Sequence, residues 1–294
     1  MLLNQFWIER LEREKSKCTW NTITKHHCHR RKVAGYAPEI RLDEIDLKWI
    51  LGFESHLRDV GNGTNTVGSV MSSLKSTLRQ AVDQELILKD PFGKYKIRQA
   101  PTFERALDID HIKKLEAYKP KGKQTKRYID VWLFSFYCAG IRIGDLCRMK
   151  IENVANGRLE YSMNKNGKRV SMPMSEKAQY IATQYTGDAL RNDRQNLFGL
   201  LSDEVSDDQL YMDIKRVVAA GNRAFRAPVA DLNLPHMTWH AARAAFATYM
   251  VREGTDIDTV RQLLKHSSIL TTQAYLASRS NDQLGDVVSN VMDF

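Results

Sequence analysis

The sequence predicts a mainly α protein of two domains, an all-helical one over residues 1–100 and an α+β one over 101–294 with a small antiparallel sheet. Three observations carry this prediction. Apolar residues recur at helical spacing through most of the chain. One stretch, residues 90–107, breaks that spacing with Pro91, Gly93 and Pro101. Alternation of the strand type is concentrated in residues 158–173, around Asn166-Gly167.

In the first domain, residues 20–35 read as a helix holding the densest basic run of the chain, Lys25-His26-His27-Cys28-His29-Arg30-Arg31-Lys32. Three His and a Cys suggest a metal site. Consecutive helical residues point in different directions, however, so they do not converge on one ion. A solvated basic face, or in its sharper form a phosphate-contacting one, is the better reading. Leu42, Ile45, Leu47, Ile50, Phe53 and Leu57 then follow near helical spacing and end toward Gly61-Asn62-Gly63. Thr64 or Asn65 is placed to cap the next helix, which carries Val67, Val70, Met71, Leu74, Leu78, Ala81 and Val82 on one face. Lys75 and Arg79 lie on the other, one turn apart.

Residues 90–107 read as an exposed linker, after which a helix opens at Asp108 or Asp110. Residues 129–138 are apolar enough for a buried helix, which ends at Ala139-Gly140 just before Arg142. The alternating runs beside Asn166-Gly167 predict a hairpin with a two-residue type I′ turn, putting Lys165 and Lys168 at its tip. The remainder reads as helical, with a start marked by Pro235. Ser280 and Gln283 resemble a capping box, followed by a terminal helix striped with Leu284, Val287, Val288, Val291 and Met292.

Composition narrows the function. Hydrophobic residues at 43% and charged ones at 27% are ordinary globular usage, which argues against a largely disordered chain. No run approaches the ~20 apolar residues of a membrane span. The start, with acids in its first turns, does not read as a secretory signal. Cys18, Cys28, Cys138 and Cys147 show no paired spacing, so reduced thiols and a cytoplasmic location are expected. Lys and Arg number 44 against 35 Asp and Glu, a formal charge of +9 that fits a polyanion such as nucleic acid. The first 104 residues hold 17 basic and 13 acidic residues, leaving 27 and 22 for the rest, so a polyanion would touch both parts.

Four pieces of the second domain are informative together. They are Arg142 within AGIRIGDL, Lys165 within YSMNKNGKRVSMP, His240 and Arg243 within WHAARAAFAT, and His266 and Tyr275 within LLKHSSILTTQAY. Each alone is weak, since a lone His is more often a core residue and a lone Tyr is usually packing. In this order they resemble the tyrosine recombinase (phage integrase) family. The segment from Thr22 to Phe92, with IDLKWILGFESHLR and ELILKDPF, is similar to that family's helical, SAM-like core-binding domain, in the version found in Bacteroidetes mobile elements. Ala244, Lys265 and Asp145 depart from the family pattern, where His, Gly and Glu are common.

The resemblance implies a site-specific recombinase that cleaves and rejoins DNA through a 3′-phosphotyrosine, for integration, excision or inversion. Tyr275 is then the nucleophile, His240 the base, and Lys165 (or Lys168, across the turn) the acid for the 5′ oxygen. Arg142 and Arg243 carry guanidinium forks that suit the nonbridging oxygens, and His266 would hydrogen-bond the phosphate. The chain has no phosphate-binding loop motif and no paired carboxylates spaced for two metals, so neither metal nor nucleotide cofactor is expected. Lys25, Arg30, Arg31, Lys32, Lys75 and Arg79 are the candidate DNA contacts of the first domain. The implied partners are double-stranded recombination sites in the bacterial nucleoid, a homotetramer on two duplexes docked through residues 281–294, and an accessory DNA-bending protein. Packing on the chain's own core is the competing reading of that tail. A type IB topoisomerase, with a similar tyrosine site, and a non-catalytic DNA-binding protein are the alternatives.

Overall fold

The computed structural model describes residues 1–100, 107–203, 206–266 and 268–276, excepting the side chains of 207, 208, 271 and 274–276. The tip of the predicted linker, the capping box at Ser280 and Gln283 and the tail helix lie outside the described residues. The chain divides into two units, Met1–Pro101 and Thr102–Phe294.

The first unit is built from α1 (Leu3–Glu14), α2 (Trp20–Tyr36), α3 (Leu47–Asp59) and α4 (Thr64–Asp83). Thr19 caps α2 by accepting from the Thr22 N–H, and Asp46 caps α3 by accepting from Trp49. The core is made by Leu3, Phe6 and Trp7 of α1, Ile50, Phe53 and Leu57 of α3, and Val67, Val70, Met71, Leu74 and Leu78 of α4. Each such side chain stabilises the fold by about 1.5–3 kcal/mol relative to exposure.

Helical periodicity divides the basic run of α2. His26, His29 and Val33 turn inward and are buried, while Lys25, Cys28 and Arg31 are exposed. The Trp7 Nε1–H donates to His26 Nδ1 at 3.2 Å, and His29 Nδ1 meets Ser73 Oγ at 2.7 Å. These histidines are therefore satisfied core groups. Buried Arg10 ties α1 to α4 by donating to Thr77 Oγ1 at 2.7 Å and Ser76 Oγ at 3.0 Å.

Two expectations change in this unit. Gly63, not Thr64 or Asn65, is the N-cap of α4. The Asn65 amide is spent instead on bracketing Ala100, donating to its C=O at 3.0 Å and accepting its N–H at 2.8 Å. The first part of the predicted linker is also not loose. Phe92 and Tyr95 are buried in the core, and Tyr95 donates to Glu54 at 2.6 Å, so apolar burial holds residues 92–100 against α3 and α4.

The second unit contains α5 (Ile109–Ala117), α6 (Lys123–Tyr137), α7 (Ile143–Arg148), β1 (Arg158–Ser162), β2 (Arg169–Pro173), α8 (Glu176–Arg191), α9 (Asp207–Ala224), α10 (Arg226–Asp231), α11 (Ala241–Arg252), α12 (Ile257–Leu263) and α13 (Ile269–Leu276). Helix α6 is the central element: Val131, Trp132 and Phe134 have no exposed surface, and α8, α9 and α11 lean on it. That arrangement explains why residues 129–138 are mostly apolar, with Asp130 at the margin accepting from Lys126 at 2.6 Å and Tyr185 at 2.8 Å.

The strands β1 and β2 pair antiparallel with Ser162 opposite Arg169. The predicted two-residue type I′ turn is not formed. Among the turn residues Gly167 alone has a positive φ, at 67°, whereas type I′ would need it at Asn166 too. A four-residue loop over 164–167 forms instead, closed by the Met163 N–H to Lys168 C=O bond at 2.9 Å and the Gly167 N–H to Met163 C=O bond at 2.8 Å.

Candidate active site

The turn after α6 prepares the first arginine. Ala139 and Gly140 both take left-handed backbone, with φ of 59° and 67°, and reverse the chain so that Arg142 stands at the N-cap of α7. The Gly140 N–H reaches the Ser135 C=O at 2.7 Å, while Ser135 Oγ donates to the Ile141 C=O at 2.7 Å. Glycine at 140 is needed for space as well as for φ. A Cβ there would sit 2.7 Å from the Arg243 Cα.

Arg243, in the first turn of α11, is buried and joins three separate motifs. Its Nη1 donates to the Gly140 C=O at 2.8 Å, its Nη2 to the Leu264 C=O, and its Nε to His266 Nε2 at 3.3 Å. His240 is the N-cap of the same helix and is exposed. Its neighbour Trp239 is buried between Tyr128 and Phe225, and lies so close on α9 that a Cβ at Gly221 would meet the indole at 2.3 Å. The packing of that indole sets where His240 stands.

His266 follows a tight helix end. Its N–H bonds to the Arg261 C=O and the Lys265 N–H to the Gln262 C=O, the paired bonds that close a helix through one left-handed residue. Lys265 fills that place with φ of 53°, so the turn stays as glycine would make it, at some backbone strain. The His266 ring is buried, with Nδ1 3.0 Å from Thr272 Oγ1. Burial, then the charges of Arg243, Arg142, His240 and Lys165, lower its pKa to about 4.

A cleft of about 510 Å³ collects these groups. Arg142, Lys165, His240 and Arg243, which come from three separate stretches of sequence, all line it, together with Asp145 and Asn222. Lys165 and Lys168, across the same turn, are both exposed, and Lys168 is not among the lining residues. Asp145, absent from the sequence-based site list, holds the loop: its Oδ1 accepts the Asn164 N–H at 2.9 Å, one residue before Lys165. Burial raises the Asp145 pKa, opposed by that hydrogen bond and by Arg142, Arg148 and Arg243. Among the described residues, its Oδ2 and the Arg142 Nη1 are buried without a hydrogen-bond partner. Tyr275 lies on α13, and its side chain is outside the description. Among the described residues no group of three or more His, Cys, Asp or Glu is arranged to hold a metal ion.

Of the first-domain candidates, Lys25, Arg31 and Arg79 are exposed. The other three make contacts within their own unit. Arg30 donates to Asn4, Lys32 donates to Asn62 at 2.6 Å, and the Lys75 ammonium lies 5.9 Å from the Phe92 ring centre.

Residues 105–282 match the model of the phage integrase family, and residues 2–97 match its SAM-like domain. The chain belongs to the phage integrase family. Among curated members, it is 25% identical over 285 residues to the tyrosine recombinase XerD of Pasteurella multocida, covering 94% of this chain and 91% of that one. It is 28% identical over 246 residues to the tyrosine recombinase XerA of Pyrococcus furiosus, covering 82% and 77%. Solved integrases share the fold at lower identity. A lambda integrase dimer bound to a COC′ core site aligns with TM-score 0.72 at 17% identity, covering 95% of this chain and 78% of that one. The Tn1549 transposon integrase in complex with transposon right end DNA aligns with TM-score 0.70 at 15% identity, covering 99% of both. Two features separate the site from a simple row of motif residues in this family member. Arg243 points its donors at the protein's own carbonyls and imidazole, and Asp145 and Thr272 supply polar contacts that the motif order alone does not mark. Asp145 follows Arg142 by three residues, and Thr272 precedes Tyr275 by three; that one-turn spacing is the signal that points to both.

Proposed function

We propose that the cleft lined by Arg142, Lys165, His240 and Arg243 receives the scissile phosphodiester of a DNA recombination site. The chain is a site-specific DNA recombinase of the tyrosine type. In this reading the Tyr275 hydroxyl attacks phosphorus, its proton passing to His240. The bond from phosphorus to the 5′ oxygen breaks, and that oxygen takes a proton from Lys165 as it leaves. The Arg142 and Arg243 charges stabilise the nonbridging oxygens, and His266 hydrogen-bonds the phosphate. The 3′-phosphotyrosine keeps the phosphodiester's energy, so a 5′-hydroxyl reseals the strand without ATP.

The convergence of four cationic or basic side chains on one cleft carries this reading. A phosphate supplies acceptors only, which suits the Arg142 Nη1, buried without a partner among the described residues. Family matches across both units favour recombination over topoisomerase activity. Exposed Lys25, Arg31 and Arg79 extend the DNA contact to the first unit, and a tetramer docked through residues 281–294 brings two duplexes together. An accessory DNA-bending protein, a mobile-element origin and a nucleoid location belong to the same reading.

The test is a nicked suicide duplex carrying sequence from beside the gene. A covalent protein–DNA band is expected on denaturing gels, persisting in EDTA and absent in Tyr275→Phe. A band that survives Tyr275→Phe, or one that needs added divalent metal, contradicts the mechanism.

A further inference from the structure

We infer that Gly221 is a positioning residue for strand cleavage: by carrying no side chain it lets α9 close on the Trp239 indole, and that contact seats His240. This rests on the reading of His240 as the general base. Nothing in the helix itself asks for glycine at 221. Its φ is not positive, its C=O accepts the Phe225 N–H at 2.9 Å, and alanine is the better helix former. What glycine supplies there is room. A Cβ would lie 2.3 Å from the indole Cζ2 and 2.6 Å from both Cε2 and Nε1.

Atoms that close cannot coexist, and the indole is hemmed in. Trp239 is 5% exposed, with the Tyr128 ring of α6 centred 5.9 Å away and the Phe225 ring 5.0 Å away. The residue before it is fixed as well, since the Trp132 Nε1–H donates to the Thr238 C=O at 2.9 Å. Helix α6 therefore holds this segment at Thr238 and α9 holds it at Trp239. His240 is the next residue, at the start of α11. Helix α9 also forms part of the cleft wall: Val218 and Asn222, one turn apart, line it although neither belongs to a motif. A methyl group at 221 would push α9 and the indole apart and carry His240 with the indole. A close-packed interior transmits such a displacement, and about 1 Å of misplacement at a reacting group can cost about 10²-fold in rate.

The experiment uses the full chain and follows covalent-complex formation on the nicked duplex described above. Gly221→Ala is expected to slow it about 10–100-fold at saturating DNA, with Kd altered less than about two-fold. Trp239→Phe carries a shorter ring that leaves room for a methyl group. In that background Gly221→Ala should change the rate by less than about two-fold, a coupling that a double-mutant cycle reads directly. A general loss of stability would instead slow both backgrounds alike. If Gly221→Ala does not fold, Trp239→Phe is read by itself: with the contact to α9 lost, it should lower the saturating rate several-fold at unchanged Kd. A wild-type rate in Gly221→Ala, equal slowing in the two backgrounds, or a wild-type rate in Trp239→Phe where that variant is read by itself, overturns the inference. Labelling with ¹⁵N-histidine keeps the two readings apart. The His240 ring signals should move in Gly221→Ala and match those of Trp239→Phe in the double variant. A His240→Ala variant that cleaves at the wild-type rate removes the base assignment and leaves that movement unchanged.

Discussion

Lys165 and Lys168 differ by three positions and by one backbone bond. Asp145 Oδ1 holds the Asn164 N–H, which draws the start of the loop toward α7 and leaves Lys165 on the cleft wall. Both lysines are exposed, but Lys168, beyond Gly167, is not among the residues that line the cleft. If Lys165 protonates the 5′ oxygen, Lys165→Ala should slow cleavage about 10²–10⁴-fold, the usual worth of a placed general acid. Lys168→Ala should stay within about two-fold of wild type. A substrate with sulfur at the 5′ bridging position has a leaving group that needs no proton, and should rescue Lys165→Ala. The same substrate should partly rescue Asp145→Ala, whose defect is a displaced Lys165 loop. Asp145→Asn retains an acceptor oxygen and should be the milder variant. Impairment of Lys168→Ala alone would exchange the two assignments.

The corner between α6 and α7 is where backbone geometry and site geometry coincide. Gly140 must take positive φ, give its carbonyl to Arg243 and leave room for the Arg243 backbone. Gly140→Ala meets the Arg243 Cα, which cannot swing aside as the end of a flexible side chain would. The expected cost is about 2–3 kcal/mol, from overpacking and a left-handed Cβ together. Urea unfolding and covalent trapping should both register it, and a variant with wild-type stability would show that the corner relaxes freely. By contrast, the α12 end carries Lys265 at positive φ, with the helix-closing bonds to Gln262 and Arg261 still formed.

Three buried histidines make both units sensitive to acid. His26, His29 and His266 each have their pKa lowered to about 4, with burial as the largest cause, against a reference of 6.5. Above pH 6.5 the ring is neutral in both folded and unfolded chains. As pH falls below that, the unfolded chain takes up the proton and the folded one resists until about pH 4. Stability is therefore lost across that window, by at most about 1.4 kcal/mol per pH unit for each ring. Thermal melts should shift down by several degrees from about pH 7.5 to about pH 5, and a flat profile would contradict the buried neutral rings. At the level of assembly, deleting residues 281–294 should leave binding to a single site intact and weaken the pairing of two sites. Unchanged synapsis in a mobility-shift assay would remove the docking role from the tail.

The sequence by itself determined the helical class, the hairpin region, the burial of residues 129–138 and the order of Arg142, Lys165, His240, Arg243, His266 and Tyr275. These follow from period, turn composition and motif spacing, which are local quantities. It misjudged what depends on distant partners. Residues 92–100 have linker composition yet are held by Phe92, Tyr95 and Asn65, because burial against α3 and α4 outweighs local preference. The turn at Asn166-Gly167 widened because other hydrogen bonds, including the one from Asn164 to Asp145, outweigh the dipeptide's preference. Only the tertiary structure decided that His26 and His29 face inward, that Lys165 rather than Lys168 lines the cleft, and that Arg243 is held by Gly140, Leu264 and His266. The physical reason is the same in each case: a buried polar group must find its hydrogen-bond partner wherever the fold brings one, and that partner is set by packing rather than by distance along the chain.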